Sequence, residues 1–75
     1  MEKKEFCEEL CALLQKTNQH GDLARLEYRK DTNGGEWAVP FWQSPNRDHQ
    51  YEGRPIDITA DSETAIIKDV IRGIE

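Results

Sequence analysis

Polar and apolar positions alternate with two periods along this chain, and the change of period marks its elements. Over residues 2–19, Phe6, Leu10, Leu13, Leu14 and Thr17 recur at helical spacing, with Cys7 and Cys11 on the flank. Glu5, Glu8, Glu9, Gln15 and Lys16 take the opposite side, so an amphipathic helix is predicted over 2–19. Gly21 is its expected stop, with Asn18, Gln19 and His20 fraying before it. From residue 23 to 30 the period becomes two: Ala24, Leu26 and Tyr28 oppose Arg25, Glu27 and Arg29, as in a half-buried strand.

Asp31-Thr32-Asn33-Gly34-Gly35 follows, and Asn-Gly is a strong hairpin signal. The partner strand is predicted over 36–42. With Asn33 and Gly34 as a two-residue turn, Tyr28 falls opposite Val39, Leu26 opposite Phe41 and Lys30 opposite Trp37 on an inner face. The same register sets Arg25 against Trp42 on the outer face. Pro40 lacks an amide proton, so this strand is expected either to be an edge or to bulge where a third strand meets it. Residues 43–53 (QSPNRDHQYEG) are polar and rich in turn formers, and are expected to form a long loop.

Ile56 and Ile58 alternate with Asp57 and Thr59 in a third strand, predicted over 55–59. Asp61-Ser62 then offers side-chain oxygens to a helix start, with Glu63 in its first turn. Ile66, Ile67, Val70, Ile71 and Ile74 form its apolar stripe, giving a helix over 62–74. The expected fold is a single α+β domain of order α-β-β-β-α. It is a two-layer sandwich, with a three-stranded, mostly antiparallel sheet carrying both helices on one face.

Composition narrows what such a domain does. The 75 residues allow one small core, and 36% hydrophobic with 33% charged residues suits a well-solvated surface. A net charge of −5 argues against a generic nucleic-acid binder and against docking on anionic membranes. No apolar run approaches the roughly 20 residues of a membrane span. The charged first residues lack a signal-peptide core, so a cytoplasmic location with reduced thiols is expected.

Candidate chemistry is sparse. Cys7, Cys11, His20 and His49 are residue types that bind zinc, but two cysteines one helical turn apart do not make a knuckle. Core thiols are the expectation, with neither metal nor cofactor. Ser44, Asp48, His49, Tyr51 and Glu52 share the polar segment, yet a core this small leaves little room for a water-excluding cleft, and no enzyme is expected. The aromatic residues are more suggestive. Trp42, placed on the outer face beside Arg25 and Arg29, joins two residue types enriched at binding hot spots, and Arg25 would stack on its ring. Arg47, His49 and Tyr51 in the adjoining loop complete the expected partner-binding set.

Thr59-Ala60-Asp61-Ser62 and Ile67-Lys68-Asp69-Val70 resemble the ends of small proteins encoded by phages and conjugative elements of Gram-positive gut bacteria. That resemblance covers about a quarter of the chain. It implies a mobile-element origin and a stoichiometric action on a host protein or complex, as in anti-CRISPR inhibitors. A protein-binding module that blocks a host defence or nucleic-acid-handling complex is therefore the leading expectation. The alternatives are a homo-oligomer joined through the outer face or an uncovered strand edge, and a binder of single-stranded nucleic acid.

Overall fold

The computed structural model describes residues 2–17 and 21–74, and its elements are α1 (Lys3–Gln15), β1 (Leu23–Lys30), β2 (Glu36–Gln43), β3 (Gln50–Glu52), β4 (Ile56–Asp57) and α2 (Glu63–Ile74). All strand pairings are antiparallel. β2 is central: β1 lies on one side, while β3 and β4 follow one another along the other. Both helices share one core with the sheet, built from Cys7, Leu10, Cys11 and Leu14 of α1, Ile66 and Val70 of α2, and Leu23, Leu26, Ala38, Ile56 and Ile58 beneath them. The α+β architecture and element order are those predicted.

The first helix is shorter than expected. The amide and hydroxyl of Thr17 both donate to the Leu14 carbonyl, at 3.0 and 2.8 Å, and Lys16 bonds back to Leu13 at 3.2 Å. These short-range bonds satisfy orphan carbonyls and close the helix in a tight turn. Asn18, Gln19 and His20, where fraying was expected, lie outside the described residues. The buried stripe is also rotated from the expected one: Cys7 and Cys11 are inside, whereas Leu13 is 62% exposed. On α2, the Ser62 hydroxyl accepts from the Ala65 amide at 3.3 Å, as a capping residue should. Ile66 and Val70 are fully buried, but Ile71 is 36% exposed and lies at the margin of the stripe.

The hairpin register differs from the predicted one by a residue. Tyr28 pairs with Ala38, Leu26 with Pro40, Arg29 with Trp37 and Arg25 with Phe41. The turn explains why. Gly34 donates to the Asp31 carbonyl at 3.3 Å, and Asp31 pairs back to the Gly35 carbonyl at 2.9 Å, so the loop holds three residues. Gly34 takes φ +87°, the left-handed conformation that follows a type I turn in such loops. The Asp31 carboxylate accepts from the amides of Asn33 and Gly35, at 2.9 and 2.8 Å, and fixes this geometry. A slip of one residue exchanges the faces of a strand. Trp37, Val39 and Phe41 therefore lie on the outer face, and Trp42 packs against the core.

Two irregularities adapt the sheet to its sequence. Leu23 and Leu26 are an odd number of residues apart, yet both are buried, because the register shifts between Leu23 and Arg25. Opposite Pro40, β3 ends and β4 begins. The Pro40 carbonyl accepts from Gly53 at 2.7 Å, so its missing amide faces the same edge, and the third strand is broken there. Of the two expectations for Pro40, the irregularity where a third strand meets it is the one realised. The segment predicted as a long loop forms a second hairpin around Ser44-Pro45-Asn46-Arg47. The Ser44 carbonyl accepts from the Arg47 amide at 2.9 Å, and the Ser44 amide donates to the His49 carbonyl at 3.0 Å.

A polar clamp ties the start of α1 and the segment that follows β4 to the first hairpin. Lys3 Nζ donates to Glu36 Oε1 at 2.7 Å and to the carbonyls of Ile58 and Thr59 at 3.0 and 3.3 Å. The Tyr28 hydroxyl donates to the other Glu36 oxygen at 2.6 Å. These bonds hold the Glu36 carboxyl below its ordinary range, Lys3 being the main cause. The same carboxylate, by accepting its hydrogen bond, pushes the Tyr28 phenol up to about 12.

Candidate binding face of the sheet

Neither helix covers the outer face. Strand alternation places Arg25, Glu27 and Arg29 of β1, Trp37, Val39 and Phe41 of β2, and Glu52 of β3 on it. Val39 is nevertheless 0% and Phe41 only 9% exposed. Their cover comes from the face itself. The Arg25 guanidinium sits 4.0 Å above the Phe41 ring centroid, and that of Arg29 lies 5.9 Å from it. Arg29 crosses β2 to reach Glu52 at 2.8 Å while pairing with Glu27 at 2.7 Å on its own strand. Those bonds, to Glu52 first and then Glu27, raise the affinity of Arg29 for its proton. The long stems cover apolar surface while the charged heads stay wet.

At the hairpin end of this face the cover is incomplete. An open groove of about 530 Å³ is lined by Trp37, Val39 and Pro55 together with Arg29, Lys30 and Asp31. The Trp37 indole donates to Asp31 Oδ2 at 3.2 Å, so the carboxylate that shapes the turn also sets the aromatic wall. These bonds, that from Trp37 first, hold the Asp31 carboxyl below its ordinary range. The groove volume falls within the span of sites that take a small ligand or a partner side chain.

The six residues expected to form one site are divided between two places. Arg25 and Arg29 are together on the outer face, with Phe41 in the position foreseen for Trp42. Trp42 instead packs on the core side, against Gly53, where an added Cβ would lie 2.8 Å from the indole nitrogen. Tyr51 pairs with Trp42 and is 53% exposed. Its ring meets that of His49 edge-on at 4.6 Å, and Arg47, at φ 58°, forms the tip of the same hairpin. Sequence reasoning missed Trp37, Val39, Phe41 and Pro55 as a surface group. Asp31 at the first position of a turn, with Gly34 at its fourth, was the available signal for the register that puts them on the outer face.

The polar groups of the second hairpin serve its turn. The buried Ser44 hydroxyl donates to Asp48 Oδ1 at 2.8 Å, and His49 Nδ1 lies 2.7 Å from the same oxygen. The Ser44 hydroxyl thus donates to the Asp48 carboxylate and not to the His49 ring. These contacts hold the Asp48 carboxyl below its ordinary range, Ser44 contributing most. Cys7 and Cys11 are free and buried. Burial, followed by the neighbouring Cys11, pushes the Cys7 thiol up to about 11. Among the described residues no cluster of three or more His, Cys, Asp or Glu could hold a metal ion, and no helix is long and apolar enough to cross a membrane. No protein-family model, curated protein or solved structure matches the chain.

Proposed function

We propose that the chain is a non-enzymatic protein-binding module whose recognition surface is the outer face of the sheet. The observation that carries this proposal is the kind of cover over Phe41: two arginine side chains, with no helix above them among the described residues. Such cover is movable. A partner that places an apolar side chain in the groove beside Trp37, and a carboxylate on Arg25, would replace arginine stems with its own surface. Arg25 suits that role, since it has no ion-pair partner among the described residues. An acidic group of the partner would meet the unpaired Arg25 guanidinium here, although the chain as a whole carries a net charge of −5. The resemblance of the C-terminal segment to mobile-element proteins supports a host protein as that partner, with stoichiometric inhibition as the outcome.

The test is capture of a partner by the immobilised chain, compared with an Arg25→Glu/Trp37→Ala variant and with Glu9→Lys on the exposed side of α1. Circular dichroism verifies that all three are folded. The outer-face variant is expected to lose the partner and the helix variant to keep it. Equal capture by the folded outer-face variant would remove this face from the proposal.

A further inference from the structure

The remaining unpaired feature is the edge of the sheet, and its charge order is informative. Among the described residues β1 pairs only with β2, and no strand lies on its other side. Asp31 faces β2 through its amide, so in an antiparallel ladder Arg25, Glu27 and Arg29 do too, while Leu26, Tyr28 and Lys30 face outward. α1 caps only the first part of this edge. The Gln15 side chain donates to the carbonyls of Leu23 and Ala24, at 2.8 and 3.1 Å, and the Leu26 amide interacts with the Cys11 sulfur. From Tyr28 onward no such cap is present among the described residues. Along the edge runs an open channel of about 390 Å³, between Lys4 and Glu8 of α1 and residues 25–28 of β1.

We infer that β1 pairs with β1 of a second copy of this chain, antiparallel about a two-fold axis at Tyr28. The segment Arg25-Leu26-Glu27-Tyr28-Arg29-Lys30-Asp31 alternates in sign on the outer face: plus, minus, plus, minus. Reversing such a segment about its centre sets each cation against an anion. Glu27 of each copy meets Arg29 of the other, and Arg25 meets Asp31. Tyr28 faces the open edge, so the two central residues can exchange both backbone hydrogen bonds. The charged pairs then fall at the non-hydrogen-bonded positions, where cross-strand side chains are closest. The other outward-facing centres are less favourable: an axis at Leu26 needs the Ala24 carbonyl that Gln15 already caps, and one at Lys30 runs past the end of the strand into the turn. Strand edges that avoid pairing usually carry charge of one sign, which repels its own copy; this edge attracts it. The Leu26 amide, needed for the flanking bonds, gives up only a weak sulfur acceptor. The resulting dimer has one continuous sheet, with the two outer faces side by side.

Both readings use Arg25, which the dimer pairs with Asp31 of the second copy, but mass tests the dimer without reference to the outer-face proposal. Sedimentation or light scattering of the whole chain, up to ~1 mM, should show a shift from 8.7 kDa to twice that mass. Glu27→Lys sets an introduced lysine against Arg29 twice across the axis, and Arg29→Glu sets an introduced glutamate against Glu27 twice. Each variant alone should dimerise at least about tenfold more weakly. Mixed together, they restore both opposite-charge pairs and should form a one-to-one heterodimer, a rescue that damaged folding would not produce. A wild-type chain monomeric throughout that range overturns the inference. So does dimerisation unaffected by either substitution, or a mixture that fails to associate while both variants remain folded.

Discussion

On the helix side of the sheet, Leu26, Ala38 and Ile56 share a core with Cys7, Leu10, Ile66 and Val70, whereas on the other side Phe41 lies under the Arg25 guanidinium and Val39 faces Glu27, where Arg29 bridges to Glu52. Both sets of apolar side chains are shielded from water, but by different means. Helix cover is covalently continuous with the fold and separates only when the domain opens. Arginine cover costs little to move, since its heads are solvated and its stems have many rotamers. A low exposed area therefore does not by itself mark a core residue. Two faces of equal burial differ in what they can exchange.

The largest expected effect is on the helix side. Ile66→Ala should cost about 2–5 kcal/mol through lost burial and a residual cavity, comparable with the roughly 3–5 kcal/mol that a core this small supplies. Urea titration should find it marginally folded or unfolded. Val39→Ala also truncates a fully buried residue, but the arginine stems can settle into the space, so its cost should be clearly lower. Equal losses in the two variants would mean that the faces are equivalent after all.

Next in size is the seam where the two faces meet the broken strand. An added Cβ at Gly53 would lie 2.8 Å from the Trp42 indole nitrogen, 2.9 Å from Pro40 Cγ and 3.0 Å from the Pro40 carbonyl. The carbonyl is backbone and holds the Gly53 amide at 2.7 Å, so relief requires moving the strand break itself. Gly53→Ala should cost about 1–3 kcal/mol, the range of overpacking, read as a lower urea midpoint. It should also disturb Trp42 more than Trp37, which tryptophan fluorescence in single-Trp variants resolves.

pH separates the faces in another way. The Tyr28 phenol and Cys7 thiol, both on the helix side, are pushed up from 10.0 to about 12 and from 9.0 to about 11. A folded-state value above the unfolded one gives stability that is complete below the unfolded value and lost as pH rises through the folded one. Alkaline destabilisation should accordingly begin near pH 9 and continue to about pH 12. The phenolate absorbance of Tyr28, isolated by Tyr51→Phe, should rise over the upper part of that window. The depressed carboxyls behave oppositely: Glu36 on the helix side and Asp31 at the outer groove stabilise the fold above their ordinary range, and lose this as pH falls through their folded values. Lys3→Met removes the main cause of the Glu36 depression and leaves Asp31 untouched. It should shrink, but not abolish, the acid limb of the stability curve.

The elements were legible in the sequence because their periods are clean: six alternating residues, Ala24 to Arg29, in β1, and a capped isoleucine-rich stripe in α2. The faces were less so, because they depend on one residue of turn geometry. Asn33-Gly34 fits a two-residue turn, and Asp31 with Gly34 fits a three-residue one; the side-chain bonds of Asp31 decide between them. That choice put Trp42 on the helix side of the sheet and Phe41 on the outer face. Local pattern also misjudged Leu13, which it set in the stripe although it is exposed, whereas Cys7 and Cys11 are the buried thiols expected. The Gln50–Glu52 strand has no apolar alternation to reveal it; pairing with β2 alone defines it. The Lys3 clamp joins residues 33 and 55 positions apart, beyond any periodicity. What survived the change of register is the arginine pair, because Arg25 and Arg29 keep their place on the outer face in either alignment.

The smallest expected effect on stability is the most direct test of that pair. Arg25 stacks on Phe41 at 4.0 Å and forms no ion pair among the described residues, so Arg25→Ala should cost about 0.5–1 kcal/mol, the cation–π contribution at an exposed site. Arg25→Lys retains the charge but loses the planar face that lies on the ring, and should recover only part of that loss. If the arginine is cover that a partner displaces, stability and binding should respond differently. Alanine, slightly destabilising, leaves Phe41 open to an incoming apolar side chain, whereas glutamate reverses the charge that meets an acidic partner. Binding should therefore fall much further for Arg25→Glu than for Arg25→Ala, although both lose the same stacking. Proportional losses of stability and binding across the three substitutions would instead make Arg25 a structural lid on Phe41, and the outer face a second, arginine-built part of the core.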